Sequence, residues 1–249
     1  PHVEAVYFTV GSADDISYEN PVPMAFSHHL GEFSLVDGVL KVNPAEHFCS
    51  GQEAGQAMEG FLRAWEIEAD LKQNLGMIKF SYSHADVIDR DPPPIGAQYV
   101  HAAGIASALA ISDSATCHLT ARCYPPPPTC FSASEYAQHA HRRWLGYRRG
   151  QEPLQAMAYF VITLMEHIAG GGKANFCDLF RIDMAVRKKM GDLCSERGSA
   201  LTARKVKSTD FNDLSHTEQE WLERAVKRLI FRLGELAAGQ PMELITLEN

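Results

Sequence analysis

Several groups of residues in this sequence have the types that chemistry needs. Glu166 and His167 close a long apolar stretch and set an acid beside an imidazole, and Arg197 follows in Leu193-Cys-Ser-Glu-Arg197-Gly. A carboxylate in apolar surroundings is either satisfied within the core or part of a site. Arg197, Glu166 and His167 are therefore the candidate catalytic residues. The cations form two clusters. Arg142, Arg143, Arg148 and Arg149 make the first; Arg187, Lys188, Lys189, Arg197, Arg204, Lys205 and Lys207 make the second. Arg148, Arg149, Arg187, Lys188, Lys189, Arg204, Lys205 and Lys207 are the candidate contacts for nucleic acid or another anion, because charge-assisted hydrogen bonds to phosphate need such donors. A single strand also needs aromatic faces for its bases. Trp144 and Tyr147 lie in the first cluster, and none lies in the second.

Thiols and imidazoles offer less. Cys117-His118, Cys123 and Cys130 invite a zinc reading, but structural zinc sites pair their ligands at two- to four-residue gaps, and the gaps here are wider. If 116–123 is a strand, Cys117 and Cys123 share a face and His118 points away. His139 and His141, two apart on a helix, do not face each other. No metal is assigned, and no cofactor. His28-His29 and His47-Phe-Cys49 have the types for a base and a nucleophile, which would have to be paired in space. Gly170-Gly-Gly-Lys173 follows a helix, not a strand, so it is not a phosphate loop. Gly-x-Gly-x-x-Gly, Gly-x-Ser-x-Gly and His-Glu-x-x-His are absent, which lowers the odds of nucleotide, hydrolase and metalloprotease chemistry.

Charge divides the chain. Residues 1–128 carry six Lys or Arg against sixteen acids, and residues 129–249 carry seventeen against fifteen. Arg181 to Lys207 alone holds eight bases and three acids. Such a split points to a polyanion or partner site on one module, or to a solvated helix face docking on the acidic one. No apolar stretch reaches the ~20 residues that span a bilayer, and no leader segment is visible. Six cysteines in a chain of this length without a leader fit reduced thiols and a cytoplasmic location.

The elements that must position these groups change character at Pro125 to Pro128. Before it, apolar residues mostly alternate. Residues 3–10 read as a strand, Gly11 to Pro23 as a polar loop, and Phe33-Ser-Leu-Val with Val39-Leu-Lys-Val as a hairpin turning at Asp37-Gly38, which suits two positive-φ positions. Ala54, Met58, Phe61, Leu62, Trp65 and Leu71 make one stripe of a helix. Met77 to Ile88 alternates again, and 105–124 reads as two strands, with the alanines of 97–111 leaving that stretch open between helix and strand. After the prolines the period is helical: Glu135 to Tyr147, Leu154 to Ile168 behind Pro153, a helix from Asp183 stopping at Gly198, and a last helix opened by a Ser215–Glu218 capping box. The expected architecture is α+β, an N-terminal antiparallel β-sheet with a packed helix (1–128) followed by a C-terminal helical bundle (129–249).

Residues 133–238 resemble the helical bundle of HEPN domains, which occur in bacterial defence and stress proteins. The likeness lies in a long apolar helix ending in Leu-Met-Glu166, a basic helix, Leu193-Cys-Ser-Glu-Arg197-Gly, a polar loop, and Trp221-Leu-Glu-Arg-Ala-Val-Lys-Arg-Leu-Ile. In that family an Arg near the end of the third long helix is followed four to six residues later by a His, and the pair, often in dimers, cuts RNA. Arg197 stands where that Arg would be. No His follows at that distance, and His216 is too far along, so any acid-base help would have to come from elsewhere.

Two functions follow as expectations. The first is a non-catalytic binding or assembly protein whose bundle docks on a protein partner or on a second copy. The alternative is a HEPN-type RNA-binding or RNA-cleaving protein with an altered site around Arg197. Neither fixes whether the chain is an enzyme.

Overall fold

A computed structural model of the chain describes residues 1–13, 15–73, 75–88, 119–197 and 213–247. It is an α+β protein, with an antiparallel sheet first and helices after it. The strands are β1 (His2–Gly11), β2 (Ile16–Tyr18), β3 (Met24–His28), β4 (Gly31–Val36) and β5 (Val39–Pro44). After helix α1 (Gly51–Lys72) come β6 (Lys79–Ile88) and β7 (Leu119–Ala121). Five of these strands form one sheet in the order β3-β4-β5-β1-β6, every neighbour antiparallel.

Alternation gives this sheet one dry face. The register puts Val6, Val42 and Phe33 in one row and Phe8, Leu40 and Leu35 in the next, and all six are buried. The rows between them, through Tyr7, Lys41 and Ser34, point the other way. The first half of α1 covers the dry face. The Phe61 ring meets His28, Phe33 and Phe26 with centroids 4.3, 5.1 and 6.1 Å away. At the opposite edge Gly55 lies so close to Tyr82 that a Cβ there would stand 3.0 Å from the ring. The β4–β5 turn has Asp37 and Gly38 at φ 48° and 76°, as its sequence requires.

The short elements depart from expectation. Gly11 to Pro23 is not all loop: β2 lies within it and pairs in parallel with β7. β3 belongs to no expected element. The strand read at 116–123 contains only the three residues of β7 among those described. Strands this short hold too few alternations to register as a pattern. The readings at 97–118, including Cys117-His118, lie outside the described residues.

The helical unit contains α2 (Glu135–Arg148), α3 (Leu154–Ile168), α4 (Lys173–Phe180), α5 (Met184–Glu196) and α6 (His216–Ala237). α3 sits at its centre and packs on the other four, with Met157, Ala158, Val161, Ile162 and Met165 inaccessible. Pro153 caps its start, where a missing N–H costs nothing. Asp183 caps α5, its carboxylate accepting the Ala185 N–H at 2.7 Å, and the capping box on α6 is complete. α4 was not expected. Its apolar side is essentially Phe176 and Phe180, one turn apart, and the three glycines ahead of it mask its start. Gly234 stands within the unbroken α6 because the Phe131 ring occupies the space of a side chain, 2.1 Å from where a Cβ would be.

Contacts divide the chain into Pro1–Leu62 with Leu75–Pro126, and Arg63–Asn74 with Pro127–Asn249. The division therefore falls at 126/127, and the last turns of α1 count with the helices. The amphipathic stripe of α1 runs on through Leu62, so its pattern carries no mark of the change.

Candidate functional site

The residues singled out from sequence separate into closed and open positions. Glu166, on the last turn of α3, is closed. Arg187 of α5 donates to its Oε1 from Nε at 3.0 Å and from Nη2 at 2.5 Å, and the guanidinium also lies over the Phe176 ring at 5.8 Å. Arg187 is buried. The pair holds α3 to α5, so both groups are engaged with each other rather than standing free. Burial disfavours the thiolate form of two cysteines near this ion pair: it pushes Cys194 up to about 12 and raises Cys177, in each case against the pull of Arg187. His167 is exposed on the same turn of α3.

Arg197 is open. It follows α5 as its C-cap residue, and its Nη2 donates to Glu218 Oε1 at 3.0 Å. Its backbone is fixed from beneath. Gln155, the one amide on the buried side of α3, donates to the carbonyls of Arg197 and Leu193 at 2.6 and 3.2 Å. Around Arg197 lies an open hollow of about 590 Å³, lined by Lys189, Arg224, Trp221, Glu218 and the segment around Ser215. The Lys189 ammonium stands 4.1 Å from the centre of the Trp221 ring, a cation–π contact. Three cations and two acids, Asp213 and Glu218, thus surround one indole.

The remaining cations lie elsewhere. Arg148 stacks on Trp144 at 5.7 Å and acts electrostatically on Tyr147 and Lys227, where burial, then Arg148, holds the lysine below its usual range. Tyr147 in turn donates to Glu223. Glu223 and Lys227 occupy one side of α6, and Trp221 and Arg224 another; at 100° per residue Glu223 is roughly 200° around the helix from Trp221. Arg148, and Arg149 after it, are therefore not part of the hollow. Arg143 is engaged with Glu152 and Phe160. Lys188 is exposed on α5 beside Lys189. Arg204, Lys205 and Lys207 lie outside the described residues.

One pairing escaped the sequence reading, and the His47–Cys49 pair that it named is in contact. His141, weighed there only as a zinc ligand, bonds through Nε2 to Asp70 Oδ2 at 3.0 Å, with both residues buried. On the exposed segment leading into α1, Cys49 Sγ lies 3.7 Å from His47 Nε2, whose Nδ1 is 2.8 Å from His2 Nδ1. Among the described residues no group of three His, Cys, Asp or Glu side chains is placed to hold a metal ion, and no described helix is long and apolar enough to cross a membrane.

The chain matches no protein-family model, no curated protein and no solved structure. The chemistry of the hollow must therefore be read from its own groups. Lys189 and Arg224 supply positive charge, Arg197 adds more if Glu218 yields it, and Trp221 supplies a flat apolar face. No imidazole lines the hollow among the described residues. Trp221 was legible only as part of a helix, because it stands far along the chain from Lys189 and Arg197.

Proposed function

We propose that the protein is a non-catalytic binding protein, working in the cytoplasm, whose helical unit holds a phosphate-bearing partner on the face made by α5 and α6. The observation that carries this reading is the grouping of Lys189, Arg197 and Arg224 around Trp221 in one open hollow. Two other cations of the unit, Arg187 and Arg143, are instead engaged with carboxylates of the unit itself. The absence of catalysis is argued from Glu166, the only acid in the candidate catalytic set, being taken by Arg187. Inorganic pyrophosphate tests the reading by titration calorimetry. Binding is expected at low ionic strength and should weaken as the screening length falls from about 10 Å at 0.1 M salt to about 3 Å at 1 M. Lys189→Ala with Arg197→Ala should remove it. No binding at low salt, or binding unchanged in the double variant, overturns the reading.

Assembly through the helical unit belongs to the same proposal. Leu179, Met184 and Leu244 are exposed apolar residues close in sequence to the paired Ile182 and Ile245, and covering them is what self-association would achieve. Sedimentation velocity over a range of concentrations decides this part, with a monomer throughout counting against it.

RNA cleavage of HEPN type is the second reading, favoured by the place of Arg197 in the hollow. Its guanidinium is bonded to Glu218, and the hollow offers no imidazole among the described residues. Incubation with end-labelled single-stranded RNA should leave the strand intact; cleavage lost in Arg197→Ala would establish the second reading over the first.

A further inference from the structure

A second recess, of about 330 Å³, adjoins the hollow and shares Trp221 and Arg224 with it. It follows the same stripe of α6, since residues 221, 224, 225 and 228 recur at helical spacing. Its walls are apolar: Val186 of α5, Ala225 and Leu229 of α6, and Ile245 and Leu247 of the C-terminal segment. That segment is a fixed wall rather than a loose strand. Ile245 donates its N–H to the Arg181 carbonyl and accepts the Asp183 N–H, both at 2.8 Å. The recess is not purely apolar, because Arg224 and Arg228 complete its lining. Both are exposed, and neither forms an ion pair with a described residue. Arg228 also faces charge of its own sign in Arg232 one turn on, a fully buried arginine that donates to the Glu243 carbonyl at 2.7 Å and pairs with Glu235 at 3.3 Å.

Resting on the reading of this face as an anion site, we infer that its ligand is a small amphipathic organic anion, with an apolar body in the recess against Trp221 and an anionic head between Arg224 and Arg228. A bare phosphate would leave the apolar walls unused, and an uncharged apolar molecule would leave two arginines unanswered. The recess volume lies at the lower end of the ~300–1,000 Å³ common for small-molecule sites. A fatty carboxylate and a nucleoside monophosphate share this chemistry, the first through its chain and the second through a base stacked on the indole.

The probe is 8-anilinonaphthalene-1-sulfonate on the full chain, compared with its uncharged relative N-phenyl-1-naphthylamine. The sulfonate dye should bind at one site per chain and at least about tenfold more tightly than the neutral dye, one charge-assisted contact being worth that much or more. Arg224→Gln with Arg228→Gln, both on the surface, should weaken the sulfonate dye about tenfold and leave the neutral dye unchanged. Ala225→Trp should block both by filling the recess; the arginine variants carry the decision if that variant does not fold. Displacement by dodecanoate and not by AMP assigns an acyl ligand, displacement by AMP and not by dodecanoate a nucleotide, and displacement by both supports the class as a whole. Equal affinity for the two dyes, indifference of the sulfonate dye to the arginine changes, or displacement by neither competitor overturns the inference. Pyrophosphate binding tested through Lys189 and Arg197 is read separately, so a failure of this inference is told apart from a failure of the reading it rests on.

Discussion

Two of the arginine–glutamate pairs in the helical unit make an instructive contrast. Arg187–Glu166 and Arg197–Glu218 use the same groups, and each spans 21 residues of chain. In the first the arginine side chain is 10% exposed; in the second it is 39% exposed. The first arginine has an aromatic ring behind it and both of its bonded nitrogens on one oxygen. The second has one bond, a solvent-facing hollow, and a glutamate that is also needed by the start of α6. Identical chemistry therefore serves as a rivet in one place and as an exchangeable contact in the other. Burial decides which, because a desolvated charge cannot be left alone whereas a hydrated one can.

The contrast is most easily broken by truncating each arginine. Arg187→Ala strands Glu166 at a helix interface and should cost about 3 kcal/mol of unfolding free energy, the lower end for a buried pair because Glu166 keeps some water. Urea denaturation measures this directly. A loss below about 1 kcal/mol would place Arg187 with the surface pairs and return Glu166 to the candidate catalytic set.

Double-mutant cycles sharpen the same point while cancelling the effects of truncation alone. Arg187→Ala with Glu166→Ala should show a coupling of about 2 kcal/mol, and Arg197→Ala with Glu218→Ala should show less than about 1. Equal couplings would mean that exposure does not separate the two pairs.

Gly191 tests how rigid the buried pair is. A Cβ at this position would come 2.8 Å from Arg187 Nη1. Alanine in a helix interior is favoured over glycine by about 1 kcal/mol, so Gly191→Ala stabilises α5 if the guanidinium can step aside. With Nε and Nη2 of the same planar group bonded to Glu166 it should not, and we expect a net loss of about 1 kcal/mol in thermal or urea unfolding. A gain would show that the pair slides.

How much of this was legible beforehand depends on the range of each interaction. The Asp37-Gly38 turn, the Asp183 cap and the Ser215–Glu218 box are written within four residues, and they are present where their residue types place them. The stripe of α6 through Leu222, Val226, Leu229, Leu233 and Leu236 is equally local; the first four are buried and Leu236 is half-buried. The partner of Glu166 is not local. It depends on how α5 lies against α3, which no spacing encodes, and so Arg187 was counted with the anion contacts. The same limit hid Trp221. The cation-rich stretch has no aromatic within it, and the indole that completes the hollow comes from the next helix. Gln155 was passed over in the sequence, because its task, holding the carbonyls at the end of α5, depends on packing. Short elements failed for another reason: β2, β3 and α4 contain too few periods for any pattern to rise above chance.

The smallest expected effects lie at Glu218, and they test whether the open pair is free to exchange. The Ser215 backbone N–H, then the Ser215 hydroxyl and Arg197, hold this carboxyl below its usual 4.5, against the opposing pull of burial. A lowered carboxyl stabilises the fold above its unfolded value and loses that contribution as pH falls through the folded one. Stability of the native protein should therefore drop on acidification below about pH 4.5 more steeply than that of Glu218→Gln. At neutral pH Glu218→Gln should cost only about 0.5 kcal/mol, since glutamine can still reach the Ser215 N–H. Arg197→Ala should cost less than about 0.5 kcal/mol and leave most of the acid dependence in place, because the helix cap precedes the arginine among its causes. If Arg197→Ala instead flattens the acid limb as fully as Glu218→Gln does, the guanidinium and not the cap governs this carboxylate. Arg197 would then be bound too firmly to its own helix neighbour to serve a ligand in the hollow.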